Sequence, residues 1–248
     1  MPFERLKNEI ASATEGFLSE RVLVRGRPLR TEEAIGRPEH ADYPIVKGRE
    51  QILEIEVRGS RGHAFTDGAG FFRGRIRDVL DLQPDTAFNR AMIAGTLNAV
   101  LQGTGRIQGS RHCRDEGPVA CAGELPAAVE DAYRKWHEVD RIASEFRVLL
   151  VGLQPRMAEM LASRYRLRIT DLDAANIGTK PSGVVVEGSE VTPEVLRWCD
   201  LAVVTGSTLT NGTIGEYLGL EVPSIFYGVT IAGGARVLGL TRFCPRSA

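Results

Sequence analysis

The spacing of hydrophobic positions changes along the chain. Between residues 3 and 18, Leu6, Ile10, Ala13 and Phe17 recur at helical intervals with charges between them, which predicts an amphipathic helix packed by one face. In QILEIEVRG the period drops to two: Leu53, Ile55 and Val57 alternate with Glu54, Glu56 and Arg58, as in a half-buried strand, and GSRG at 59–62 reads as a hairpin turn. The stretch DTAFNRAMIAGTLNAVLQ (85–102) opens on a capping Asp85 and is apolar nearly all round. It predicts a buried helix with Asn98 inside it.

A second regime begins after residue 120. Leu125, Val129, Ala132, Trp136, Val139 and Ala143 form one stripe, with Pro126 near the expected helix start. RVLLVG (147–152), RLRITDLD, LAVVTG and VPSIFYG are then strand-like runs, most of them followed by a helical segment. Nearly apolar strands alternating with helices predict a parallel sheet covered on both faces. The chain is therefore expected to be α/β, with an N-terminal α+β part over 1–145 and a parallel-sheet part over 146–248. A cleft between the two is the expected ligand site.

Composition narrows the class. The 248 residues carry 31 Lys and Arg against 32 Asp and Glu, so no basic excess points to nucleic acid or to an anionic membrane. No apolar run is long enough to span a bilayer, and MPFERLKNEI lacks the apolar block of a signal peptide; a cytoplasmic protein is expected. Four unevenly spaced cysteines, at 113, 121, 199 and 244, predict reduced thiols. The exposed face of the N-terminal helix leaves a homodimer open.

In a parallel sheet the carboxyl ends of all strands share one edge, where ligands meet helix N-termini. That rule selects Gln154, then Asp171 and Asp173, then TGSTLTNGT (205–213), then Tyr227 and Thr230. Gly206 would let an anion approach the backbone, and Ser207, Thr208, Asn211 and Thr213 would add neutral donors. Helix capping explains such residues equally simply. Asp171 and Asp173 suit a ribose, a metal or an amine, or act as caps. GLQP is not GxGxxG, and no GxxxxGK[ST] loop is present. Asn98 could offer its amide to a ligand if its helix faces the cleft.

HCRDEGPVAC (112–121) gathers an imidazole, two thiols and two carboxylates. Thiolate and imidazole favour soft ions such as zinc or copper(I), yet the seven residues between Cys113 and Cys121 match no finger or ribbon spacing. By spacing alone, a solvated loop with one Cys turned inward is the simpler reading.

Taken together, YPIVKGRE, GTLNAVL, HCRDEGPVAC, VGLQP, DLDAANIG, TGSTLTNGT and FYGVTIAGGA resemble a bacterial and archaeal family described as heavy-metal chelatases. The resemblance runs from about residue 40 to the end. It implies a domain similar to the N-terminal fold of enolase joined to a Rossmann-like domain. It also implies a transition-metal ion, or a small anionic ligand bearing one, held between them. On this footing His112, Cys113 and Cys121 become soft ligands and Asp171 or Asp173 hard ones. The other matching positions are Asn98, Gln154, Asn176, Ser207, Thr208, Asn211, Thr213, Tyr227 and Thr230, which the resemblance implies line the pocket. Thr210 stands where the family favours an aliphatic residue, and Gly234 where Ala is usual. Two alternatives remain: a metal-free enzyme acting on a small phosphorylated or carboxylated metabolite, with Tyr227 or an Asp as acid or base, and a noncatalytic carrier.

Overall fold

The computed structural model describes residues 1–17, 23–47, 50–68, 70–140 and 145–248. In chain order the N-terminal elements are α1 (Pro2–Thr14), β1 (Leu23–Pro28), α2 (Thr31–Ile35), β2 (Gln51–Val57), β3 (Ser60–Thr66), β4 (Phe72–Arg75), α3 (Ile76–Leu80) and α4 (Ala87–Gly103). Then come α5 (Gly117–His137), β5 (Arg147–Val151), α6 (Pro155–Ala162), β6 (Arg166–Asp171), β7 (Val186–Gly188), α7 (Thr192–Trp198) and β8 (Leu201–Thr205). The last are α8 (Ser207–Asn211), β9 (Ser224–Tyr227), α9 (Ala232–Leu238) and the two-residue β10 (Arg242–Phe243). Two compact units interleave along the chain: Met1–Glu116 with Gly206–Leu218 and Gly228–Ala248, and Gly117–Thr205 with Gly219–Tyr227.

The first unit is an antiparallel sheet in the order β3-β2-β1-β4 with α4 laid across it. The β2–β3 hairpin turns on Arg58 and Gly59, both at positive φ (51° and 80°), so Val57 pairs with Ser60. Two left-handed residues match the twist of the flanking strands. Helix α4 is buried at every position from Ala91 to Leu101 because it touches the sheet as well as α1, α8 and α9. Its N-cap is Thr86, whose side chain accepts from Asn89 N; Asp85, the expected cap, accepts instead from Asn89 Nδ2 at 3.0 Å.

The second unit holds five parallel strands in the order β9-β8-β5-β6-β7. Val148–Val151 of β5 and Leu201–Val204 of β8 are buried at every residue, as strands covered on both faces must be. Helix α5 packs on α6 and on this sheet. It begins at Gly117, with Pro118 in its first turn, and carries Pro126 inside, so the start expected near Pro126 falls nine residues earlier. HCRDEGPVAC is therefore half helix, and Cys121 is a buried α5 residue. Residues 18 and 141–144, including Ala143 of the predicted stripe, lie outside the described residues.

Candidate functional site

At the carboxyl edge of the parallel strands the predicted ligand groups are hydrogen-bonded to the protein itself. Asp171 ends β6 and accepts from Leu153 N (2.7 Å), Asp173 N (2.7 Å) and Asn176 Nδ2 (3.2 Å), so its carboxylate ties two loops together. Asp173 accepts from Ala175 N at 2.9 Å. Gln154 caps α6 through Met157 N, and the Tyr227 hydroxyl donates to Gly152 O at 2.8 Å. For Asp171 and Asp173 these are hydrogen bonds of the capping kind.

The remaining pocket candidates belong to the first unit. Gly206 precedes α8, a five-residue helix in which Thr208 is buried, Asn211 is exposed, and Ser207 and Thr213 are half-buried. Thr230 is 1% exposed and its Oγ1 accepts from Phe65 N (2.9 Å). Asn98, fully buried on α4, donates through Nδ2 to the carbonyls of His63 (2.9 Å), Val229 (2.9 Å) and Thr230 (3.2 Å). Its Oδ1 accepts from Gly233 N at 2.7 Å. Both ends of that amide are engaged.

His112 and Cys113 are placed differently. His112 Nδ1–H donates to Cys113 O at 2.5 Å, which leaves Nε2 as the bare lone pair of a neutral ring. Burial draws the His112 pKa down to about 4, against the upward pull of the Cys113 carbonyl. Neither Nε2 nor the Cys113 thiol has a hydrogen-bond partner among the described residues. Burial, reinforced by the neighbouring Cys244 thiol, pushes Cys113 up to about 12. Cys244 is brought beside this segment by the C-terminal strand of chain: Arg111 and Ala248 exchange backbone hydrogen bonds (2.8 and 3.0 Å), and Arg242 Nη2 donates to Gly109 O (2.6 Å).

Behind His112 stands a carboxylate–imidazole pair. His63 Nδ1 accepts the backbone N–H of His112 (3.0 Å), so its Nε2 carries the proton and donates to Glu54 Oε2 (3.3 Å). That bond, with help from Arg61 and Arg27, holds the Glu54 pKa below the usual carboxylate range. Neither Glu54, His63 nor Cys244 was a sequence candidate. A signal existed for the first two, since a turn at Arg58–Gly59 puts Glu54 directly opposite His63 in register.

Among the described residues no group of three or more His, Cys, Asp or Glu side chains is assembled as a metal cage. Residues 135–230 match the model of a protein family, DUF364, whose description reads "Putative heavy-metal chelation". It is the family that the sequence motifs resemble. A DUF364 protein of unknown function from Pyrococcus horikoshii superposes with a TM-score of 0.50 at 14% identity, over 93% of this chain and 79% of that one. Another, from Desulfitobacterium hafniense, gives 0.43 at 15% identity, over 76% and 72%. No curated protein matches. The Pyrococcus superposition supports the mixed α/β DUF364 fold, an antiparallel sheet together with parallel strands. No described helix is long and apolar enough to cross a membrane.

The depressed His112 pKa has a thermodynamic consequence. A base whose folded pKa (about 4) lies below its free value (6.5) contributes stability that is complete above pH 6.5 and lost as pH falls toward 4. Between pH 7 and 4.5 the metal-free protein is expected to lose about 2 kcal/mol that a His112→Gln variant does not lose. Urea unfolding of both proteins at the two pH values measures the difference; parallel losses would contradict it.

Proposed function

We propose that the chain binds a soft transition-metal ion through His112 Nε2 and the Cys113 thiolate, with Cys244 drawn in as a third donor. The observation that carries this reading is the His112 tautomer: a ligating histidine ordinarily gives its other ring N–H to a carbonyl or carboxylate, and His112 Nδ1 does so before any ion arrives. Imidazole nitrogen and thiolate sulfur suit copper(I), zinc or cadmium rather than magnesium or calcium. The incoming ion closes the site by displacing the thiol proton, so binding is coupled to proton release. Asp171 and Asp173 are not part of this set, because their oxygens cap the loops of the second unit.

Cadmium provides the test, since thiolate ligation gives a charge-transfer band in the ultraviolet. Reduced, metal-free protein is expected to take up one ion with that band, and affinity should rise by about tenfold per pH unit for each thiolate formed below its pKa. Cys113→Ser should weaken binding by at least about a hundredfold, and His112→Gln by about tenfold or more. Asp173→Asn should leave it unchanged. A titration without the band, or one in which Cys113→Ser binds as tightly as the parent, removes the proposal.

A further inference from the structure

On the solvent-exposed side of the antiparallel sheet, Arg25 of β1 and Arg73 of β4 stand directly opposite each other in register. Like charges at opposed positions destabilise a strand pair. Arg27 lies two residues along β1, on the same face. Neighbouring carboxylates relieve this crowding only in part. Arg25 lies 3.7 Å from Glu56 with its side chain 62% exposed, and Arg27 reaches Glu33 at 3.3 Å and Glu54 at 3.5 Å. The Arg73 side chain has no ion pair or hydrogen bond among the described residues.

Arg25, Arg27 and Arg73 line, together with Gly26, Phe71 and Phe72, a hollow of about 470 Å³ whose exposed wall is mostly carbon. Among the described residues no acidic one lines it. Phe71 is 81% exposed, a large ring held in water at a cost that a flat ligand would remove. We propose that this hollow binds a small molecule joining a flat ring to a phosphate, with a nucleoside monophosphate as the simplest case. The planar guanidinium groups match phosphate oxygens in pairs, the phosphate relieves the Arg25–Arg73 repulsion, and the ring covers Phe71. The volume falls in the ordinary range for such ligands. A long polyanion fits less well, because it would have to run past Glu33, Glu54 and Glu56. The site shares no residue with His112, Cys113 or Cys244.

Calorimetric titration of the full chain at low salt with AMP, GMP and UMP, and separately with adenosine, inorganic phosphate and an oligothymidylate, tests the proposal. At least one nucleotide should bind saturably, and adenosine and inorganic phosphate at least about tenfold more weakly. Arg73→Ala and Phe71→Ala, both changes at exposed side chains, should each weaken nucleotide binding about fivefold or more. Arg236→Ala, on the exposed side of α9, should not. Failure of all three nucleotides to bind would overturn the proposal. So would equal affinity for inorganic phosphate, insensitivity to Arg73→Ala, or binding of the oligothymidylate alone.

Discussion

Asn98→Ala is expected to destabilise the first unit by about 4 kcal/mol, a large share of the 5–15 kcal/mol that a typical domain possesses. The side chain is fully buried on α4 and hydrogen-bonds His63 O on β3, Val229 O and Thr230 O, and Gly233 N near the start of α9. Alanine leaves these four backbone groups without that partner in a place water does not reach. Each such group costs roughly 1–3 kcal/mol, less than additively once the segment relaxes. Asn98→Asp separates lost volume from lost bonding: it keeps the shape and one acceptor for Gly233 N but turns an oxygen toward three carbonyls, so it should be at least as damaging. Thr96→Val on the same helix is the contrast. The Thr96 hydroxyl is buried with no hydrogen-bond partner among the described residues, so removing it should be neutral within about 0.5 kcal/mol or stabilising. Urea unfolding gives the three energies. Hydrogen exchange should show the Gly233 amide losing its protection in Asn98→Ala, and a protected amide with unchanged stability would refute the assignment.

This residue also shows how much of the site was legible in the sequence. An asparagine in an apolar helix announces that its amide has partners, but not which. The loop Val229–Gly233 lies more than a hundred residues away, and hydrophobic period carries no information about such a contact. The same limit separates the rim candidates from the outcome. Asp171, Asp173 and Gln154 follow from their place at the carboxyl ends of strands, and the sequence alone does not show that the N–H groups of Leu153 and Met157 donate to Asp171 and Gln154. The start of α5 differs from expectation for a local reason: Pro126 reads as a helix start, yet a helix tolerates one missing N–H, and Pro118 is the proline in the first turn of α5. The strands fared better. RVLLV and LAVVT are apolar at nearly every position, and only a strand covered on both faces asks for that, so their parallel pairing followed from pattern alone. β4 escaped notice because FRGR, short and at the sheet edge, has no periodicity to read.

A methyl group added at Gly62 is the second change with a large expected effect. Gly62 sits in the middle of β3 where α4 crosses closest, and a Cβ there would fall on Gly95 O, Ala99 N and the Asn98 side chain. Two of these are backbone atoms of a helix that also packs against α1, α8 and α9, so the clash is not relieved by turning a side chain. Either the helix lifts off the sheet or β3 bends away. Gly95 of α4, whose carbonyl oxygen faces Gly62, differs in that its own Cβ position is crowded only by side-chain atoms of Ile55 of β2. Overpacking against yielding side chains costs about 1–3 kcal/mol; against backbone the cost should reach about 3 kcal/mol or more. Because lifting α4 also stretches the Asn98–His63 O bond, Gly62→Ala and Asn98→Ala should be less than additive when combined. A Gly59→Ala variant controls for the change of residue type: Gly59 has open space around its Cβ position, so its cost comes only from its positive φ and should stay near 1 kcal/mol. Unfolding energies for the two single variants and the double variant decide the matter. If Gly62→Ala costs no more than Gly59→Ala, or if its loss simply adds to that of Asn98→Ala, then α4 and β3 do not meet backbone to backbone.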